Sequence, residues 1–306
     1  MKAWGSLALF ILALPLFIKN PYYLNVLAIM GLNAMVAIGL SLFIGYAGQI
    51  SLGHGAFYGL GAYGSAILAV HYGFPPYLSM ILAIFFTTLI AWGLGYLILR
   101  LRGHYLVMAT LGINLVVYFL FIEGESLTGG LSGLPGIPPL CFGRFCFTTD
   151  RAHYYLIWTI TLMVIWLSLR LTSGRLGREL RAIKESELAA RALGIQVTRY
   201  KTAVFAFSAA LAALAGGLYA HYLTFISPKT FDVFYSVEVV TMVLVGGIGS
   251  IWGALLGAAF LTPLPQVLEF FEEYKDIFYG LVLMGILVWQ PGGLWALIQK
   301  FRYFGK

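Results

Sequence analysis

Charge is what this sequence has least of. With 19 basic and 12 acidic residues among 306, only 10% of the chain is charged, against about a quarter in an ordinary soluble domain. That scarcity excludes a soluble globular protein, and apolar runs of roughly 18 residues or more recur from end to end, leaving no soluble domain of useful size. Cysteine is almost absent: Cys141 and Cys146 stand alone in the run CFGRFC. Two cysteines are too few for a four-ligand metal site and fit equally a small disulfide or two free thiols. Paired carboxylates, a serine–histidine–aspartate set and metal-ligand spacings are missing, which argues against an enzyme. So is a G-x-x-x-x-G-K-[ST] phosphate loop, which gives the chain no means of hydrolysing ATP itself.

What is present is apolar: hydrophobic residues form 60% of the chain and mean hydropathy is +0.89. The expected fold is all-α, a single polytopic membrane domain over 1–306. Candidate spans cover 4–18, 22–46, 50–70, 77–99, 105–122, 153–171, 201–224, 237–262 and 277–297, about eight full spans plus one broken pair, so eight to ten in all. The opening MKAWGSLALFILALPLF lacks a small-residue cleavage pattern before Lys19, Asn20 and Pro21 and reads as an uncleaved first span.

The net charge of +7 is concentrated in one loop, which points to topology and away from nucleic acid. Between 170 and 201 lie Arg170, Arg175, Arg178, Arg181, Lys184, Arg191, Arg199 and Lys201 against Glu179, Glu185 and Glu187. The positive-inside tendency places this loop, 173–200, in the cytoplasm. Counting crossings backwards then puts loop 123–152 outside and the N-terminus inside. Counting forwards, the basic tail lands inside only if the segment 237–261 crosses an even number of times, as a hairpin broken at Gly246, Gly247, Gly249 and Ser250. Irregular backbone at membrane depth is tolerated only inside protein or along a cavity, so this break is expected near the path. The alternative is a single straight span.

Within the loop, Leu176, Leu180 and Ile183 form one apolar stripe on a charged helix. Ser186 reads as the N-cap of a separate short helix over 187–193, Glu187 pairs with Arg191 at i, i+4, and Gly194 ends it in a left-handed conformation. Its apolar face of Leu188, Ala189, Ala192 and Leu193 suits docking into another protein or packing on its own membrane domain.

Glycine is concentrated in GQISLGHGAFYGLGAYGSAIL, residues 48–68. Gly55 and Gly59, and Gly61 and Ser65, fall four apart, the spacing at which helix backbones approach closely in lipid. IGYAGQI (44–50) and VGGIGSI (245–251) share glycines at their second and fifth positions and a final isoleucine, a faint echo of duplicated transporter halves. Asn33, Gln49, His54, Asn114 and Glu238 lie in or beside apolar segments, where polar groups are costly and face a cavity or a partner. Each is a candidate for the substrate path, against the plainer readings of a helix-to-helix hydrogen bond for His54 and an outer-end cap for Glu238.

Five stretches in order, GYAGQISLGHGAFYGLGAY (45–63), LRGHYLVMATLG (101–112), TGGLSGLPGIP (128–138), LRAIKESELAARALGIQVTRYK (180–201) and VEVVTMVLVGGIGSIWGALLGA (237–258), resemble the permease subunits of branched-chain amino acid ABC importers, the LivH/LivM type, and more the LivM side. The resemblance implies a type II-like importer permease in a bacterial or archaeal inner membrane, and the count of crossings above puts both termini in the cytoplasm. It implies as partners a second related permease, two cytoplasmic ATPase subunits that bind the ATP, and an external solute-binding protein, with no cofactor in this chain. The loop 173–200 is similar to the coupling segment of such importers, whose signature is EAA, three residues, then glycine. Here the aligned residues are Leu188, Ala189, Ala190 and Gly194, so the first departs from the motif and Glu187 stands one place early. Glu187, Ala189, Ala190, Arg191 and Gly194 are thus implied in ATPase coupling. A urea or short-amide importer would look alike; an ion-coupled carrier would not need the basic loop and would be expected to carry membrane-centre acids.

Overall fold

The fold is taken from a computed structural model that describes residues 5, 11–15, 17, 18, 20–101, 103–142, 145–268, 275–290 and 292–304. The order of the principal helices is α1 (Pro21–Ser41), α2 (His54–Val70), α3 (Pro76–Ile98), α4 (His104–Glu123), α5 (Asp150–Ser173), α6 (Arg175–Glu185), α7 (Glu187–Ala192), α8 (Val197–Leu223), α9 (Val233–Gly246), α10 (Ile251–Leu261), α11 (Lys275–Trp289) and α12 (Gly293–Phe304). A π-helical turn, Leu42–Tyr46, extends α1.

Five of these helices are long and apolar enough to cross a membrane: Pro21–Tyr46, α3, α4, α5 and α8. A sixth crossing arises if α9 and α10 count as one broken span, and they are bent by 119° at the break. The fold is therefore a polytopic helical bundle, as expected, but eight full spans are not established among the described residues. The reason is local. The expected span 50–70 becomes helical only at His54 and has 17 residues, and the expected span 277–297 stops at Trp289 and restarts at Gly293, where Pro291, Gly292 and Gly293 interrupt the run. Residues 4, 6–10 and 16 of the expected span 4–18 lie outside the described residues, as does 269–274 of the acidic linker.

The bundle is held by close backbone approach. A Cβ on Gly61 of α2 would overlap the Ala213 backbone of α8, and a Cβ on Gly216 of α8 would overlap the Tyr58 carbonyl of α2. Glycine removes bulk from both sides of this crossing, so packing and Cα–H contacts replace the hydrophobic drive that lipid does not supply. Gly59 meets Phe121 and Phe231 instead, so the glycines of α2 serve two different neighbours. The echo between 44–50 and 245–251 has a physical counterpart: Gly45 lies directly against Gly249, where a Cβ would overlap its Cα, and Gly249 itself has φ +82°.

At one end of the bundle β1 (Leu134–Pro135) pairs with β4 (Phe225–Ile226), and β2 (Cys141–Phe142) pairs with β3 (Phe145–Cys146). Cys141 and Cys146 are joined as a disulfide across the second pair. The basic helices α6 and α7 occupy the opposite end.

Candidate functional site

The start of α2 is the unusual place in this molecule. Its N-cap, Gly53, offers no side chain, and the preceding residues run irregularly back to the end of α1. His54 Nε2 lies 2.6 Å from Ser208 Oγ, and Ser208 is the twelfth of 27 residues in α8. On the other side, a Cβ on Gly55 would come within 3.1 Å of Asn114 Oδ1, and Asn114 is the eleventh of 20 residues in α4. The helix therefore begins level with the middles of its neighbours, so its positive dipole end sits about 16 Å inside the bundle, at 1.5 Å per residue along α8.

Hydrogen-bond donors at this level are met by hydroxyls. Gly55 N donates to Ser236 Oγ of α9 at 2.8 Å, Leu52 N to Thr110 Oγ1 of α4 at 3.0 Å, and Gly53 N to Ser51 Oγ at 3.2 Å. What is not met is as informative. Asn114 is fully buried, yet neither its Oδ1 nor its Nδ2 has a hydrogen-bond partner, and His54 Nδ1 has none either. An unpaired buried amide group costs about 1–3 kcal/mol. Buried polar groups are ordinarily paired, so these unpaired atoms set the level of the α2 start apart from the packed apolar core around it.

The other sequence candidates divide. Asn33, in the middle of α1, donates to Thr262 Oγ1 at 3.1 Å and accepts from Tyr235 Oη at 3.1 Å, so it ties both limbs of the α9–α10 hairpin to α1. Tyr235 stacks on Tyr58 of α2 at 4.7 Å between ring centroids, and Glu238 lies one turn further along α9, half-buried. Asn33, His54, Asn114 and Glu238 thus all border α2 or α9. Gln49 does not join them: its amide bonds its own loop at Ala47 O. Sequence reading missed Ser236, Ser208 and Thr110, because a hydroxyl in an apolar run carries no pattern until its helix is placed. The break at Gly246, Gly247 and Gly249 is real. Gly247 has φ +121°, and Gly246 packs on the Gly253 carbonyl of α10, closing the hairpin more tightly than any side chain would permit.

The basic end carries a second surface. Ser186 Oγ accepts from Ala189 N at 3.3 Å and Gly194 adopts φ +80°, so α7 has the expected cap and stop. Leu188 and Leu193 are 75% and 78% exposed, leaving an apolar knob facing outward. Ala190, by contrast, is buried at 1%, so it seats the helix and does not present itself. Glu187 pairs with Arg191 only at 4.0 Å; its close partner is Lys201 of α8, at 2.7 Å. Lys184 Nζ donates to Gly45 O at 2.9 Å, which links α6 to the same glycine that packs on the broken hairpin. Leu180 and Ile183 of the predicted stripe are buried, and Leu176 with Leu180 lines a small apolar cavity against Tyr200 and Phe207. The Tyr200 hydroxyl and the Arg175 guanidinium hold the Glu179 carboxyl below the usual carboxylate range.

Residues 22–287 match the profile of the family described as branched-chain amino acid transport system / permease component. The high-affinity branched-chain amino acid transport system permease protein LivM of Salmonella typhimurium (strain LT2) is 31% identical over 285 residues, 85% of this chain and 67% of that protein. LivM of Escherichia coli (strain K12) is 31% identical over 283 residues, with the same coverage. The autoinducer 2 import system permease protein LsrC of Klebsiella pneumoniae is 30% identical over 198 residues, covering 62% of this chain and 55% of its own. No solved structure matches.

Proposed function

Because the chain belongs to the branched-chain amino acid transport system permease family and is a permease subunit of an ATP-binding-cassette importer, we propose that the polar level at the start of α2 is where it handles a branched-chain or other hydrophobic amino acid. The observation that carries this is Asn114, buried with both amide atoms unpaired beside a helix N-terminus at mid-bundle. A zwitterion has complementary groups: its carboxylate suits the amides and dipole of α2, and its ammonium suits Asn114 Oδ1 and the nearby hydroxyls. The side chains crowd together here, so this conformation is the closed one, and transport requires α9 and α2 to separate.

The lever lies at the other surface. In this reading α6 and α7 form a cytoplasmic coupling segment, Leu188 and Leu193 enter a groove of an ATPase subunit, and Glu187, Ala190 and Gly194 fix the knob in place. Motion passes through Lys184 to Gly45 and so to the hairpin. Two ATPase subunits, a second related permease and an external solute-binding protein complete the importer, with both termini of this chain in the cytoplasm and loop 123–152 outside. ATP is bound and hydrolysed by the partners.

The test is leucine uptake in vesicles reconstituted with the ATPase, second permease and binding-protein partners. Asn114→Leu should abolish uptake while leaving assembly intact. If uptake persists at the wild-type rate, the site is misplaced. Affinity purification in mild detergent should recover two ATPase chains and a second permease; a chain that transports alone would overturn the whole reading.

A further inference from the structure

At the basic end a cavity of about 510 Å³ opens between α3, the Arg191 end of α7 and the start of α8. It is lined by Trp92 and Tyr96 of α3, Arg191 of α7, and Gln196, Arg199 and Thr202 around the first two turns of α8. No carboxylate lines it. Gln196 is the N-cap of a 27-residue helix and offers no side-chain bond. Tyr200 N is taken by Gln196 O, but among the described residues no acceptor takes the amides of Thr198 and Arg199. Thr202 is 1% exposed, and its hydroxyl oxygen has no hydrogen-bond partner. Two arginines, of which Arg191 also lies 4.0 Å from Glu187, an open helix start and an unpaired buried hydroxyl border one space, and their common complement is a phosphate oxygen.

What reaches that space is set by α3. Phe85, Leu89, Trp92 and Tyr96 follow one another at i, i+4, i+7 and i+11, and are 60%, 58%, 44% and 58% exposed, a continuous apolar stripe that leads into the cavity. Its lower end is aromatic, as at a membrane interface, and Arg100 lies over the Tyr96 ring at 5.1 Å. A soluble anion has no use for such a stripe, whereas a lipid does.

We infer that this cavity binds the phosphate of an anionic phospholipid from the same leaflet, with its acyl chains along the Phe85–Tyr96 face of α3. The headgroup would then bridge the coupling helix, through Arg191, to α3 and α8, so membrane composition would act on the stiffness of the coupling segment. The lipid site itself does not depend on the transport reading; its effect on coupling rests on the proposed role of α6 and α7.

The test is amide hydrogen exchange of the full chain in nanodiscs of phosphatidylcholine alone, or with phosphatidylglycerol added, together with native mass spectrometry of lipid titrations. Phosphatidylglycerol should slow exchange at Thr198 and Arg199 and bind more tightly than phosphatidylcholine. Arg199→Gln and Arg191→Gln should each weaken that preference by about fivefold, near the contribution of one basic residue at an anionic surface. Thr202→Val, which keeps both arginines and the packing, should weaken it less but measurably. Equal binding of the two lipids, or a preference untouched by both arginine substitutions, overturns the inference. So does protection by inorganic phosphate alone, which would make this a site for a free anion, and so does protection that appears only with an ATPase or second permease subunit present regardless of lipid, which would make it a protein interface.

Discussion

Removing the carboxylate of Glu187 should free α7, and removing its lysine partner should not. Glu187 and Lys201 meet at 2.7 Å, but their surroundings differ: the glutamate side chain is 20% exposed and the lysine only 2%. In Glu187→Gln the ammonium stays in a dry slot without its countercharge, and breaking a buried pair from one side costs about 3–5 kcal/mol. The partial exposure of the pair places the expected cost at the lower end, about 3 kcal/mol. Lys201→Met instead fills the slot with an apolar chain and leaves a carboxylate that water can reach, for about 1 kcal/mol. A six-residue helix such as α7 has no stability of its own, so the loss appears as local opening and not as global unfolding. Hydrogen exchange at 188–193 should accelerate about 100-fold in Glu187→Gln, a few-fold in Lys201→Met, and return close to wild type in the double substitution. If Lys201→Met opens α7 as much as Glu187→Gln, or if neither changes exchange, then the ion pair does not hold the helix and the seating of Ala190 alone must.

Other consequences follow from single contacts. Gly61→Val drives a branched side chain into the Ala213 backbone, and should prevent α2 and α8 from packing, read as loss of a monodisperse peak in detergent chromatography; an intact peak would show that the crossing can open. Gly194→Glu puts a side chain where φ is +80°, at about 1–2 kcal/mol for the left-handed conformation, and should uncouple ATP hydrolysis from uptake in the reconstituted importer; wild-type transport would remove Gly194 from the coupling role. The depressed Glu179 carboxyl sets a pH dependence whose sign is fixed. Its contribution is complete above the ordinary glutamate value of about 4.3 and is lost as pH falls through the lowered folded value. Contact of α6 with α8 should therefore weaken below about pH 4, and Glu179→Gln should abolish that dependence in exchange at 176–183. Asn114→Leu removes a buried amide with no partner, and should leave thermal stability equal or higher by about 1–2 kcal/mol even as transport is lost.

The sequence by itself determined the environment and the local elements. Lipid cannot satisfy a free amide, so long apolar runs had to be helices, and α1, α3, α4, α5 and α8 lie within a few residues of where hydropathy places them. The Ser186 cap, the Gly194 stop and the break at 246–250 were legible because each depends on the chemistry of one or two adjacent residues. Only the tertiary structure decided who meets whom. That His54 and Asn114 flank a helix start at mid-bundle, that Gln49 stays outside it, that Glu187 turns to Lys201 more closely than to Arg191, and that Ala190 faces inward all depend on the relative placement of helices. In this molecule that placement is set by backbone contacts at glycine, at Gly45 with Gly249 and at Gly61 with Ala213. A residue without a side chain permits an approach but does not name its partner, so the partner became visible only when the helices were packed.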